Sequence, residues 1–352
     1  MDSLSRIQAF LRLKDDILSA VDTAEYRNMM AKAEMQNGWF DTKTVRQALV
    51  NLAFLMDVKD FVFTSSKQEL FSGKRNVIYL KSGENGKPSD ILVVCAGNVP
   101  AVAFHDIMCI LLSGNRAWIK LSSKDNVIIP FLLDRLALYM PEVKDNVIYI
   151  DGDIKAVKKN ISGVIATGSD SSALVFESYF KDIPHIIRKS RYSVALIRHG
   201  DDINGLEDDI CLYYGMGCRS ISHLLVPKEY DFEELIKKLQ KYSYLNDMSK
   251  YKNNSDYQKA LMIMNGVDFI DAGGVLLTQK KEMYSPVSVV GYSYYDDIGQ
   301  AKQVIEKDKE FLQCVADSKG DYGIRFGCCQ KPLFTDYADS VDIMLWLGEN
   351  FG

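Results

Sequence analysis

Ile91-Leu92-Val93-Val94-Cys95-Ala96-Gly97-Asn98-Val99-Pro100 runs from uninterrupted apolar residues into a small-residue turn, and residues 102–113 follow at helical spacing. A strand this apolar has no face left for water, so it suits a parallel sheet covered on both sides. The same grammar recurs at 117–121, 146–150, 163–167 and 193–197, with further helices expected at 127–140 and 171–179. Short apolar runs, each closed by a turn and followed by an amphipathic stretch, are the pattern of βαβ units. The expectation is an α/β protein with Rossmann-like sheets.

Outward from this block, residues 1–70 show helical spacing, as in Ile7, Phe10, Leu11 and then Val45, Leu49, Leu52, Leu55. They predict a helical N-terminal portion. Charged and turn-forming residues at 199–204 suggest a domain change. The expected division is 1–200 for N-terminal helices plus a dinucleotide-binding domain, 201–332 for a catalytic cysteine domain, and 333–352 for a segment returning to the core. Within the second part, a helix at 206–215 leads into a loop holding Cys218, and a strand at 222–226 leaves it. A helix at 232–242, an irregular loop at 244–254, a helix at 255–264 and strands at 275–278 and 287–292 follow.

Composition narrows the function. The 352 residues are 47% hydrophobic and 25% charged, enough for about two domains with buried cores. A net charge of -5 and a pI near 5.5 provide no basic field for nucleic acid or an anionic membrane. Seven cysteines without a CxxC pair indicate neither a disulfide framework nor a zinc site, and a reducing cytoplasm is the natural compartment. No signal-like apolar segment opens the chain, and its longest apolar stretch, around 107–112, is far below a membrane span.

Cys218 lies in Tyr214-Gly215-Met216-Gly217-Cys218-Arg219-Ser220, among small residues that let a substrate approach, and is the candidate nucleophile. The plainer reading is a small hydrophobe, as for Cys95, Cys109, Cys211 and Cys314, which lie in apolar runs. Asn98 can donate a side-chain amide to a developing oxyanion, or simply occupy a turn. Lys120, ending an apolar strand ahead of Ser122 and Ser123, can reach ribose hydroxyls or phosphate, or be a solvated surface group. Gly168-Ser169 opens a helix that can receive a phosphate, although no GxGxxG is present. Glu282, in Glu282-Met283-Tyr284-Ser285-Pro286, is a carboxylate ahead of a strand, or a surface acid.

Taken in order, these segments resemble the aldehyde dehydrogenase superfamily, and more narrowly acyl-CoA reductases of the bioluminescence fatty-acyl reductase type. Asn98-Val99-Pro100 is similar to that superfamily's Asn-aromatic-Pro oxyanion turn, with valine in the middle. Lys120, 22 residues after Asn98, resembles its ribose-contacting lysine. Gly168-Ser169 matches its Gly-Ser turn near the cofactor phosphates and nicotinamide. Gly215, Cys218 and Ser222 match its nucleophile motif, and Glu282 through Pro286 resembles the turn whose glutamate holds the nicotinamide ribose. The narrower likeness rests on Gly97-Asn98-Val99-Pro100 with Phe104-His105-Asp106, on Lys120-Leu121-Ser122-Ser123-Lys124-Asp125, and on Pro184-His185-Ile186-Ile187-Arg188-Lys189.

The resemblance implies catalytic roles for Cys218 and Asn98 and cofactor binding by Lys120, Ser122, Ser123, Gly168, Ser169 and Glu282. Hydrolytic members carry a Glu-Leu-Gly-Gly base, whereas Arg188-Lys189-Ser190-Arg191-Tyr192-Ser193 has no acid, so water is a poor second substrate. Ser123 replaces a glutamate common in NAD-preferring members. This permits NADPH, with NADH the other candidate. The implied reaction is reduction of an acyl-CoA or acyl-carrier thioester to an aldehyde. The alternatives are an oxidative aldehyde dehydrogenase, an acyl-phosphate reductase, or a non-catalytic relative that binds an acyl carrier or partner. A homo-oligomer and a partner enzyme consuming the aldehyde are also implied. No metal is needed, and His105, His185 and His223 are read as structural. Arg188 and Arg191 are read as salt-bridged surface groups, with CoA or NADP phosphates as the other option. Only 64 residues separate Cys218 from Glu282, so the catalytic domain is expected to be trimmed.

Overall fold

The computed structural model describes residues 2–58, 62–64, 77–79 and 87–351. Residues 59–61 and 65–70 of the expected helical portion lie outside the described residues. The chain divides into two compact units, Met1–Ser190 with Lys331–Gly352, and Arg191–Gln330.

In the first unit, helices α1 (Ser3–Ala20), α2 (Ala24–Gln36) and α3 (Thr42–Leu55) open the chain. Asp2 caps α1 by accepting the Ser5 amide, and Asp41 caps α3 by accepting those of Lys43 and Thr44. Such caps satisfy amides that a helix start leaves without partners. Ile7, Phe10, Leu13 and Ile17 line one buried stripe of α1, and Val45, Leu49 and Leu52 do so on α3. A short parallel pair, β1 (Val62–Thr64) and β2 (Val77–Tyr79), follows.

The central sheet is parallel, in the order β5-β4-β3-β6-β7, from β3 (Asp90–Val94), β4 (Arg116–Lys120), β5 (Val147–Tyr149), β6 (Gly163–Thr167) and β7 (His185–Arg188). The apolar run that begins at Ile91 serves both faces, as its composition requires. Ile91 and Val93 enter the core with Ile107 and Leu111 of α4 (Phe104–Leu112) and Leu132 of α5 (Ile128–Ala137). Leu92 enters the opposite core with Val164, Ala166 and Phe180, the last on α7 (Asp170–Phe180); α6 (Val143–Asn146) precedes β5. Burying each such side chain stabilises by about 1.5–3 kcal/mol. Ile343, Met344 and Leu347, from the C-terminal helix, complete the first of these cores.

The second unit has a seven-stranded sheet, β10-β11-β12-β9-β8-β13-β14, parallel except for β10. Its strands are β8 (Tyr192–Leu196), β9 (Ile221–Pro227), β10 (Ile270–Asp271), β11 (Leu276–Gln279), β12 (Val289–Tyr295), β13 (Leu312–Asp317) and β14 (Ile324–Arg325). Its helices are α8 (Leu206–Cys211), α9 (Glu233–Leu239), α10 (Ser249–Met264) and α11 (Ile298–Lys307), while α12 (Ile343–Phe351) is the C-terminal helix of the first unit. The strand expected at 193–197 lies in the middle of this second sheet, paired to β9 and β13. The turn formers at 199–204 make a loop inside the unit, where Arg198 pairs with Asp201. Three residues alone separate β7 from β8, so no loop signal marks that passage.

Three local readings differ from the structure. Within the helical portion expected over 1–70, Val62–Thr64 forms strand β1, its β-branched and aromatic residues pairing with β2. The helix expected at 206–215 ends at Cys211, because Tyr213 and Tyr214 take left-handed backbone angles. The irregular loop expected at 244–254 is mostly helical, since α10 starts at Ser249. Its first turns are polar and its buried contacts, Tyr251 and Ser255, lie one turn apart, which leaves little periodic signal.

Candidate active site

In the first unit, the register Val94↔Lys120 and Val94↔Ala166 brings the ends of β3, β4 and β6 to one level. The turns holding Asn98, Lys120 with Ser122 and Ser123, and Gly168 with Ser169 therefore lie along one carboxyl edge. Ligands of open parallel sheets bind at such edges. Asn98 and Ser123 are exposed, while Lys120 and Ser122 are half-buried. Gly97 lets the first two turns touch: a Cβ there would stand 2.8 Å from Ser122 Cβ and 2.9 Å from Lys124 Cβ. The Cys95 amide extends the ladder by donating to the Lys120 carbonyl at 3.0 Å.

Asp125 holds this corner together. It is 1% exposed, and its Oδ2 accepts the Ala101 amide at 2.7 Å. Burial pushes its carboxyl up to about 6, against the opposing pull of the Ala101 and Ile128 amides. Its only sequence signal is its place at the end of Lys120-Leu121-Ser122-Ser123-Lys124-Asp125.

Ser169 caps α7, its Oγ accepting the Ser172 amide at 3.3 Å. Asp170 is turned to the Ser190 amide at 2.9 Å, which gives its negative charge a partner within the fold. A capped helix start, a small-residue turn and a lysine along one parallel-sheet edge fit the phosphates and ribose of a dinucleotide. Arg188 does not belong to this edge as a phosphate ligand or a surface group. It forms a buried two-pronged pair with Asp106 at 2.6 and 2.9 Å, and both side chains are 7% exposed.

In the second unit, Tyr213 (φ 53°), Tyr214 (φ 59°) and Gly215 (φ 71°) turn the chain sharply after α8 and present Cys218 to solvent. Cys328 is exposed as well; Cys95, Cys109, Cys211, Cys314 and Cys329 are buried. Burial pushes the thiols of Cys95, Cys109 and Cys211 upward, away from thiolate chemistry. The Ser193 hydroxyl donates to the Cys218 carbonyl at 2.8 Å and accepts the Cys314 amide at 3.1 Å, fixing the loop to β13. Asp209, fully buried on α8, accepts the amides of Gly327 and Cys329 at 2.7 and 3.0 Å. Arg219 donates to the Cys329 carbonyl and Gln330 to the Ser220 hydroxyl, so segment 327–330 backs the Cys218 loop.

The exposed Glu282 sits on the crossover from β11 to β12, anchored by buried Met283. The Ser222 hydroxyl donates to the Met283 carbonyl at 2.9 Å, and the Ser285 hydroxyl donates to the Ser222 carbonyl at 2.8 Å. Lys280 reaches the Tyr284 carbonyl. Residues 64 apart in sequence, Cys218 and Glu282 thus belong to loops stapled by one serine. Tyr214, Gly215, Ile221, Ser222, Ser285 and Pro286 border a small cleft with an accessible volume of about 20 Å³. Beneath the Glu282 turn, fully buried His223 shares a 2.9 Å hydrogen bond with Ser293, and burial lowers its pKa to about 4. It is a neutral structural histidine.

Where hydrolytic relatives are expected to carry a base, each residue has a structural partner. Lys189 pairs with Glu177, Arg191 donates to the Leu312 carbonyl and Tyr192 reaches Asp308. Among the described residues no His, Cys, Asp and Glu group could hold a metal ion, and no helix is long and apolar enough to cross a membrane.

The family model for acyl-CoA reductase (LuxC) matches residues 81–320. No curated protein matches in sequence. A Mycobacterium tuberculosis aldehyde dehydrogenase complexed with NAD+ is similar in structure with a TM-score of 0.63 at 14% identity, over 90% of this chain and 73% of that one. An oxidoreductase from Marinobacter aquaeolei gives 0.62 at 10% identity, over 90% and 73%. An acetylating aldehyde dehydrogenase from Geobacillus thermoglucosidasius gives 0.60 at 12% identity, over 90% and 76%. The shared fold is that of aldehyde dehydrogenases.

Proposed function

Because the chain belongs to the acyl-CoA reductase (LuxC) family, and is therefore an oxidoreductase, we propose that it reduces an acyl thioester to an aldehyde through an acyl-Cys218 intermediate. The observation that carries the reading is the exposed Cys218 thiol, on a loop braced by Ser193 and stapled through Ser222 to the turn of Glu282.

The Cys218 thiolate attacks the thioester carbonyl, and the tetrahedral species expels the carrier thiolate, which takes up a proton. The two thiols have similar leaving ability, so this exchange is close to balanced. A bound NADPH, or NADH, supplies a hydride and takes no other part. The acyl-Cys218 carbonyl carbon accepts it, the carbon–sulfur bond then breaks, and Cys218 is released as thiolate beside free aldehyde. Asn98 is assigned to the oxyanion of both tetrahedral species, where a lost donor typically costs about 100- to 1,000-fold in rate. Lys120, Ser122 and Ser123 are assigned to the adenosine ribose, Gly168 and Ser169 to the phosphates or nicotinamide, and Glu282 to the nicotinamide ribose. The lack of a carboxylate at 188–193 supports release by reduction or thiol exchange over hydrolysis.

The test is oxidation of NADPH, read by its absorbance, with a series of acyl-CoAs and the Cys218→Ala variant. Turnover that vanishes in the variant supports the reading, and turnover undiminished in it overturns it.

A further inference from the structure

We propose that Asp125 is a positioning residue that clamps the Asn98 turn to the Lys120–Ser123 turn, so that oxyanion donor and ribose-binding groups are held as one body. The clamp stands on geometry within the first unit; only its effect on turnover rests on the function proposed above.

Ala101 lies three residues after Asn98 and is held at φ 55°, the left-handed region that a residue with a side chain avoids. Such a backbone persists only where its surroundings fix it. The Asp125 carboxylate does so, accepting the Ala101 amide at 2.7 Å in a site that is 1% exposed. A bond from an amide to a buried carboxylate is stronger than one between neutral groups. The Asp125 backbone belongs to the other turn: its amide donates to the Ser122 carbonyl at 3.1 Å. One residue therefore grips both turns, its side chain on one and its main chain on the other.

Surrounding contacts leave this corner no slack. Gly97 lies so close to Ser122 and Lys124 that a methyl group would not fit. Gln36 and Asn37 donate to the Ser123 and Lys124 carbonyls at 3.0 and 3.2 Å, bracing the second turn from behind. Oδ1 of Asp125 is buried as well, and the Ile128 amide acts on the same carboxyl. A carboxylate kept in such a place at the cost of burying its charge fits a part that orders its surroundings.

The experiment measures amide hydrogen exchange of peptides spanning 97–104, together with kcat on an acyl-CoA, in the wild type, Asp125→Asn, Asp125→Ala, Asn98→Ala and Asn98→Ala/Asp125→Ala. Loss of the Ala101 bond is expected to speed exchange there about tenfold in Asp125→Ala, and by less in Asp125→Asn, which keeps an acceptor. kcat is expected to fall about tenfold or more in Asp125→Ala but no further when Asn98 is already alanine, whereas a general loss of stability would lower both backgrounds alike. Unchanged exchange at 97–104, or losses that multiply in the double variant, would overturn the clamp. If Asn98→Ala alone leaves kcat intact, the role of Asn98 fails, and the exchange data still judge Asp125. Should Asp125→Ala not fold, Asp125→Asn decides, and exchange identical to the wild type counts against the proposal.

Discussion

The Ser222 hydroxyl donates to the Met283 carbonyl at 2.9 Å, joining the start of the strand that follows Cys218 to the turn that carries Glu282. With Ser285 returning a bond to the Ser222 carbonyl, the link is reciprocal. Ser222→Ala leaves the carbonyl of buried Met283 without this donor and is expected to cost about 1–2 kcal/mol. If Glu282 holds the nicotinamide ribose, KM for NADPH rises more than KM for the acyl-CoA. Equal changes in the two constants would contradict the link.

Arg188 and Asp106 make a structural pair, so breaking it should damage stability first. Asp106→Ala leaves a buried guanidinium alone and is expected to cost about 3–5 kcal/mol, whereas Asp106→Leu with Arg188→Met costs far less. Denaturant unfolding of the two variants checks this ordering. NADPH and CoA affinities that survive in the double variant would show that Arg188 is no phosphate ligand.

His223 and Asp209 predict opposite pH trends. His223 is held neutral to about pH 4, below its ordinary value near 6.5, so the unfolded chain binds the extra proton between these limits. Its contribution to stability is complete above about 6.5 and is lost as pH falls toward 4, by up to about 3 kcal/mol. Asp209 is raised by burial to about 6, so the folded protein binds the extra proton between about 4 and 6, and that contribution is lost as pH rises through this window. His223→Gln should flatten the acid loss, and Asp209→Asn should remove the opposing trend. Urea titrations from pH 4.5 to 7 read both, and slopes unchanged in either variant would refute that assignment.

Ser123 is exposed at the end of the Lys120 turn. A carboxylate there would meet the 2'-phosphate of NADPH, so Ser123→Glu is expected to lower the NADPH-to-NADH ratio of kcat/KM about tenfold or more. A ratio that does not move would remove Ser123 from the cofactor site.

Much of the first unit was legible because β3 and β6 are apolar on both faces, and Ile91 through Cys95 could hardly sit elsewhere than in a covered parallel sheet. The exposure of Cys218 was legible for a related reason, since Gly215 and Gly217 flank it in place of core residues. Less could be read where polar long-range bonds decide. Nothing around Ser193 announces that its hydroxyl grips the Cys218 carbonyl, and Asp125 looks like any turn acid until its burial is seen. Cys328 is exposed like Cys218 but carries no local signal, because its surroundings are ordered by Asp209, 119 residues earlier. The passage from β7 to β8 carries no change of composition, and only strand pairing separates the two sheets there.

The most direct test is to mix the protein with an acyl-CoA in the absence of reduced nicotinamide, locate any acyl adduct by peptide mass spectrometry, and then add NADPH. One adduct on Cys218 is expected, with its loss on adding NADPH and aldehyde in matching amount. An adduct on another residue such as Cys328, or aldehyde formed by Cys218→Ala at the wild-type rate, would contradict the acyl-Cys218 intermediate.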